Sequence, residues 1–175
     1  MNIVLIGYRC SGKTAVGQTL ADKLARDFID TDILIEENAG STIETIIAEK
    51  GWGHFREIEK KMIAEVSEKT NQVIATGGGA VMDTDNVTCL KTNGWIVWLN
   101  GRPGVLAERM AIDSRRGKVR PSLTGADPLK EIPAVLQGRA PFYEQASDFK
   151  VDTGTVSPRE IVDLIINHLP EKARR

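Results

Sequence analysis

The chain has 175 residues with 23 Lys plus Arg against 24 Asp plus Glu, a formal net charge of −1; this is the length of one domain, and its charge balance argues against a nucleic-acid partner, which calls for a basic excess. A hydrophobic fraction of 41% and a charged fraction of 27% exclude a disordered or collagen-like chain. No apolar run nears the ~20 residues that cross a bilayer, the N-terminus lacks a signal-peptide pattern, and Cys10 and Cys89 are too few for a disulfide scaffold; the expectation is a cytoplasmic protein with no membrane partner.

Asn2–Ile6 reads as a buried strand ending at Gly7. Gly7-Tyr8-Arg9-Cys10-Ser11-Gly12-Lys13-Thr14 then completes G-x-x-x-x-G-K-[ST] and opens a helix from Gly12 to Arg26, with Val16, Leu20 and Leu24 at helical spacing. The chemistry explains the spacing. Successive N–H groups, here Cys10, Ser11, Gly12, Lys13, Thr14 and Ala15, form a concave nest for a β-phosphate at the positive end of a helix. Lys13 reaches the β- and γ-phosphates, and the Thr14 hydroxyl suits Mg²⁺. The motif indicates a nucleoside triphosphate. Guanine-specific N-K-x-D and the dinucleotide fingerprint G-x-G-x-x-G are both absent, and neither Gln72–Thr76 nor Trp95–Leu99 ends in the aspartate of a typical ATPase.

Phe28–Thr31 is a short strand, within the run Phe28-Ile29-Asp30-Thr31-Asp32. In an extended chain Asp30 and Asp32 point the same way, so one carboxylate can hold a metal-bound water while the other orients or deprotonates a hydroxyl. The same pattern suits a solvated strand end or a helix N-cap; the phosphate loop upstream favours the functional reading. Ser41-Thr42-Ile43-Glu44 fits a capping box opening a helix to Lys50. Trp52 to Lys69 is a second helical pattern with Phe55, Ile58, Met62 and Val66 on one face, beside which Arg56 stands, either facing a ligand or paired with Glu59 on the surface.

Gln72–Thr76 is a strand running into Gly77-Gly78-Gly79, where three glycines in a row favour close approach of a ligand to the backbone over a simple turn. A helix from Thr84 to Asn93, the strand Trp95–Leu99 and a helix from Pro103 to Ile112 follow. The basic stretch Arg115-Arg116-Gly117-Lys118-Val119-Arg120-Pro121 reads either as a solvated loop or as a mobile lid over phosphates. Asp127 to Tyr143 is helical with breaks expected near Pro133 and Pro141, and Arg139 lies in it. Arg56 and Arg139 together suit a carboxylate or phosphate. The strand Phe149–Asp152 and a helix capped by Ser157-Pro158-Arg159-Glu160 and running to about Leu169 complete the chain. His54 and His168 are isolated, and no zinc site is expected. Strands alternating with helices predict an α/β protein with a parallel sheet covered on both faces.

In this order the motifs resemble the shikimate kinase family. The resemblance is carried by Gly7–Thr14, Phe28–Asp32, Phe55-Arg56 with Glu59, Thr76–Gly79, Arg120-Pro121, Arg139–Tyr143 and Val151-Asp152-Thr153. It implies a three-layer α/β/α P-loop kinase fold with a five-stranded parallel sheet, a substrate-binding insert at about 32–61 and a mobile lid at about 112–125. It implies ATP-dependent phosphorylation of the shikimate 3-hydroxyl on the route to chorismate and the aromatic amino acids, with Mg²⁺ as cofactor, by a monomer. By matching position, Lys13, Asp32 and Arg120 carry the catalysis, with Asp32 as the base. Asp30 supports the metal through water beside Thr14. Asp32, Arg56, Gly77, Gly78, Gly79 and Arg139 bind shikimate, and Val156-Ser157-Pro158 flanks adenine. Two other readings are a different small-molecule kinase, such as a gluconate kinase, and a regulator that holds nucleotide without turnover.

Overall fold

The computed structural model describes residues 1–115, 121–154 and 156–174. Five short apolar segments become strands: β1 (Asn2–Ile6), β2 (Asp27–Asp30), β3 (Gln72–Ala75), β4 (Gly94–Asn100) and β5 (Phe149–Asp152). They form one parallel sheet in the order β2-β3-β1-β4-β5. Alternation along β1 sends Val4 and Ile6 to one face and Ile3 and Leu5 to the other, and each face has its own buried cluster. A sheet buried on both faces needs helices on both, which makes the molecule the three-layer α/β/α structure expected.

On one face lie α1 (Lys13–Leu24) and α7 (Pro158–His168), whose Val16, Leu20, Ile161 and Ile165 pack on Ile3, Leu5 and Val97. Ser157 caps α7 through the reciprocal Ser–Glu capping box read from the sequence. On the other face lie α3 (Ile43–Glu68), α4 (Thr84–Asn93) and α6 (Ile132–Ala146). The remaining helices are α2 (Thr31–Ala39) and α5 (Pro103–Arg115).

Several local expectations are corrected. Asp32 is not on a strand: β2 stops at Asp30, which caps α2 by accepting from the Asp32 amide at 3.1 Å. The N-cap of α3 is Thr42, which accepts from Thr45 N at 3.2 Å, while the Glu36 carboxylate takes the Ile43 amide. The two helical patterns on either side of residue 51 are present as read: the two parts of α3 meet at a kink at Gly51, whose non-helical φ of 80° is open to glycine at little cost. Pro133 starts α6 at its first turn, but Pro141 does not break it. The carbonyl that Pro141 leaves without a helical partner belongs to Gln137, which is exposed to water.

Register puts the functional loops side by side. Leu5 pairs with Ala75, and Ala75 with Asp30. Gly7, Gly77 and Asp32 each follow that row by two residues, so three loops open at one edge of the sheet, at the carboxyl ends where α/β proteins bind ligands.

Candidate active site

The phosphate loop turns on Gly7 at φ 143° and Gly12 at φ 97°. Gly7 is also required sterically, since a Cβ there would stand 2.6 Å from the Leu99 carbonyl. Cys10 adopts a left-handed φ of 62° without being glycine, and backbone held in that region costs energy that surrounding structure must offset. Lys13 Nζ donates to the carbonyls of Gly7 and Tyr8 at 2.8 and 2.9 Å, which holds the ammonium at the loop. Ser11 is buried, and its Oγ has no hydrogen-bond partner among the described residues. Thr14 Oγ1 donates to Asp30 Oδ2 at 2.9 Å, so the hydroxyl and carboxylate expected at the metal do meet.

Beside the loop opens a cavity of about 490 Å³. Thr14, Asp30, Asp32, Arg56, Gly77, Gly78, Gly79 and Arg139 all line it, drawn from α1, β2, α2, α3, the turn after β3 and α6. Arg139 Nη1 donates to the Gly78 carbonyl at 3.0 Å, and the Tyr143 hydroxyl donates to the same oxygen. Burial pushes the Tyr143 phenol up to about 12, which keeps it a donor. Arg139 and Arg9 both lie over the Tyr8 ring, at 5.9 and 5.7 Å from its centroid.

Arg56 is paired with Glu59, but not on the surface as the alternative reading had it. Glu59 is 1% exposed, and its Oε2 accepts from Arg56. The Glu59 Oε1 has no hydrogen-bond partner among the described residues and faces the space above Gly77. Burial raises its pKa despite the opposing charge of Arg56. Glu59 carries part of the family pattern, yet it was not among the expected site residues; its burial comes from the packing of α3, which helical spacing does not reveal. The glycines have a matching reason. A Cβ on Gly77 would collide with Glu59 Oε1 and stand 2.9 Å from Asp32 Oδ1, and one on Gly79 would collide with Arg56.

A second hollow adjoins Ser11, Gly12 and Ala15 and is lined by Val156, Pro158 and Arg109. Val156, expected beside adenine, thus lies next to the phosphate loop. Arg109 lines the same hollow, though it was not among the expected site residues. It is held there by donating to the carbonyls of Thr153 at 2.8 Å and Cys10 at 3.5 Å. Arg120, with the rest of residues 116–120 of the expected lid, lies outside the described residues.

A phosphate loop after β1, a carboxylate beside its threonine, and an adjoining cavity with two arginines define a P-loop kinase of the small-molecule class. The comparisons narrow this. The shikimate kinase family model matches residues 9–170. A shikimate kinase from Symbiobacterium thermophilum is 43% identical, with 100% of this chain and 99% of that protein covered. The structure of a shikimate kinase from Acinetobacter baumannii in complex with shikimate superposes with a TM-score of 0.87 at 32% identity, covering 97% of this chain and 95% of that one. A gluconokinase from Sinorhizobium meliloti shares the fold alone, at 19% identity and a TM-score of 0.51, with 93% of this chain and 87% of that one covered. The chain belongs to the shikimate kinase family.

Proposed function

We propose that the protein transfers the γ-phosphoryl group of ATP to the 3-hydroxyl of shikimate. The observation that carries this reading is the single cavity that sets Asp32, Arg56 and Arg139 beside the phosphate loop. A hydroxy acid fits that chemistry: the two guanidiniums take its carboxylate through forked, charge-assisted bonds, and the glycine turn admits its ring against backbone. Asp32 accepts the proton of the attacking hydroxyl as the new O–P bond forms and the bond to ADP breaks. Asp32 is the group suited to this step because it lines the cavity on the first turn of α2, next to the Thr14–Asp30 pair. Lys13 neutralises the β- and γ-oxygens, and Arg120 adds to that charge as the chain's further candidate catalytic residue.

The donor set fits magnesium. Thr14 Oγ1 and Asp30 Oδ2 are hard oxygens 2.9 Å apart, and Mg²⁺ takes few protein ligands beside water and phosphates. Thr14 would hold it directly and Asp30 through water; when bound, it would neutralise negative charge on the phosphates. Ser11, Gly12, Ala15 and Val156, with Arg109, hold the rest of the nucleotide, supported by their shared hollow. The reading includes a cytoplasmic monomer whose partners are shikimate and ATP. No helix among the described residues is long and apolar enough to cross a membrane.

Shikimate methyl ester tests the carboxylate clamp. Esterification removes the charge that Arg56 and Arg139 are placed to bind, so its KM should rise roughly 10- to 100-fold. Equal use of ester and acid by the wild-type enzyme would remove the clamp from the account.

A further inference from the structure

Arg9 stands at a variable position of the phosphate loop, and no step above uses it. Its Nη1 donates to the carbonyl of Pro121 at 2.7 Å, across 112 positions of sequence. Arg9, Pro121 and Leu123 all line the acceptor cavity. Residues 121–124 therefore form one wall of that cavity, and Arg9 reaches it from the phosphate loop.

The far side of the same wall has a second anchor. Glu131, buried at the start of α6, accepts from Ser122 Oγ and Thr124 Oγ1, both at 2.8 Å, and from the amides of Leu123 and Thr124, both at 3.0 Å. A turn held from behind by a buried carboxylate and in front by a guanidinium has little freedom to slide. The reach requires arginine. A planar guanidinium can lie against the Tyr8 ring and still donate at its tip, whereas an ammonium is a strongly hydrated point charge.

We propose that Arg9 is a positioning residue for the acceptor: its bond to Pro121 fixes the spacing between the phosphate loop and the 121–124 wall, and with it the seat of the ring that lies between them. This rests on the acceptor reading above. Removing the guanidinium loosens the seat without touching the groups that carry the proton or the phosphates. The acceptor's KM then changes more than kcat or nucleotide affinity.

Arg9→Gln and Arg9→Lys test it, since both shorten the side chain at a half-buried position and leave the core intact. The expected result for Arg9→Gln is an acceptor KM raised about 5- to 20-fold, kcat within about 3-fold, and ATP affinity without acceptor within about 2-fold. Arg9→Lys should fall between that variant and wild type. Amide hydrogen exchange is read in parallel without substrates, and Leu123 and Thr124 should exchange faster in Arg9→Gln. An acceptor KM within about 2-fold of wild type, an equal rise in the KM of ATP, or unchanged exchange at those two amides would each overturn the proposal. If wild type shows no shikimate-dependent turnover, the acceptor reading fails by itself, and the exchange comparison still decides whether Arg9 anchors the wall.

Discussion

Replacing Gly77 by alanine puts the packing of the acceptor site to a steric test. Gly77 has no unusual φ, so the substitution strains no backbone; only space is at issue. The added methyl would collide with Glu59 Oε1 and lie 2.9 Å from Asp32 Oδ1. Neither neighbour yields easily. Glu59 is 1% exposed and tied to Arg56 through its other oxygen, and the Gly77 amide is itself fixed by donating to Thr31 Oγ1 at 3.2 Å. Overpacking of this kind costs roughly 1–3 kcal/mol, which for a domain of this size lowers Tm by about 3–10 °C. The larger consequence is kinetic. Displacing Asp32 or the Arg56–Glu59 pair by several tenths of an ångström moves the base and one clamp arm together, so kcat/KM for shikimate should fall roughly 10- to 100-fold. ATP binding without acceptor should stay within about 3-fold, because the phosphate loop is not among the atoms disturbed. Gly79→Ala is the control: the atoms nearest its methyl belong to the Arg56 guanidinium, the end of a half-exposed side chain, so Tm should fall less while the KM of shikimate still rises. Thermal melts and steady-state kinetics of both variants decide the matter. Wild-type kinetics in Gly77→Ala would show that the geometry around Glu59 and Asp32 does not govern the acceptor site.

Three further outcomes are expected. Asp32→Asn should retain nucleotide binding and lose about 10²- to 10⁴-fold in kcat, the usual worth of a general base; kcat within a few-fold of wild type would leave Asp32 only a positioning role. Arg139→Ala should raise the KM of shikimate roughly 10- to 150-fold through loss of a charge-assisted bond, with Arg139→Lys between the two because the fork is gone; an equal rise for ATP would place Arg139 elsewhere in the mechanism. The last outcome concerns pH. Burial pushes the Glu131 carboxyl up, but the bonds from Leu123, Thr124 and Ser122 outweigh it and hold the group below the usual carboxylate range. A carboxyl depressed by folding stabilises fully above its unfolded pKa and loses that contribution as pH falls through the folded one. The 121–126 turn should therefore open in acid in wild type and already at neutral pH in Glu131→Gln. Protease cleavage of that turn against pH reads this out, and identical profiles for the two proteins would contradict it.

The parts of the site that were legible in the sequence are those whose chemistry is local. The phosphate loop announces itself because a strand, eight residues and a helix start suffice to define its geometry. The break between the helical patterns ending at Lys50 and starting at Trp52, the cap at Ser157 and the glycine turn after β3 were legible for the same reason. Asp30 and Asp32 both line the cavity, and Asp30 stands on β2 as read, but Asp32 was given the wrong local structure. Alternation assumed that the strand continued, whereas Asp30 ends it by capping α2. Pro141 shows the opposite error, since the proline signal overstated a break that an exposed turn of α6 tolerates. What stayed hidden depends on contacts between distant segments. Nothing in the i,i+3 spacing of Arg56 and Glu59 shows that one partner is buried under Gly77. Nothing near Arg9 or Arg109 shows that their partners are Pro121 and Thr153, 112 and 44 positions away.

The central claim is that this cavity presents a shikimate hydroxyl to the γ-phosphate of ATP. Incubation of the purified protein with ATP, Mg²⁺ and either shikimate or gluconate, followed by ³¹P NMR of the products, tests it most directly. The account predicts ADP together with a phosphomonoester whose phosphorus couples to the C3 proton of shikimate, formed at the rate of ADP release, and no such ester from gluconate. Preferential phosphorylation of gluconate, coupling to another ring position, or nucleotide binding with no ester from either acid would contradict it.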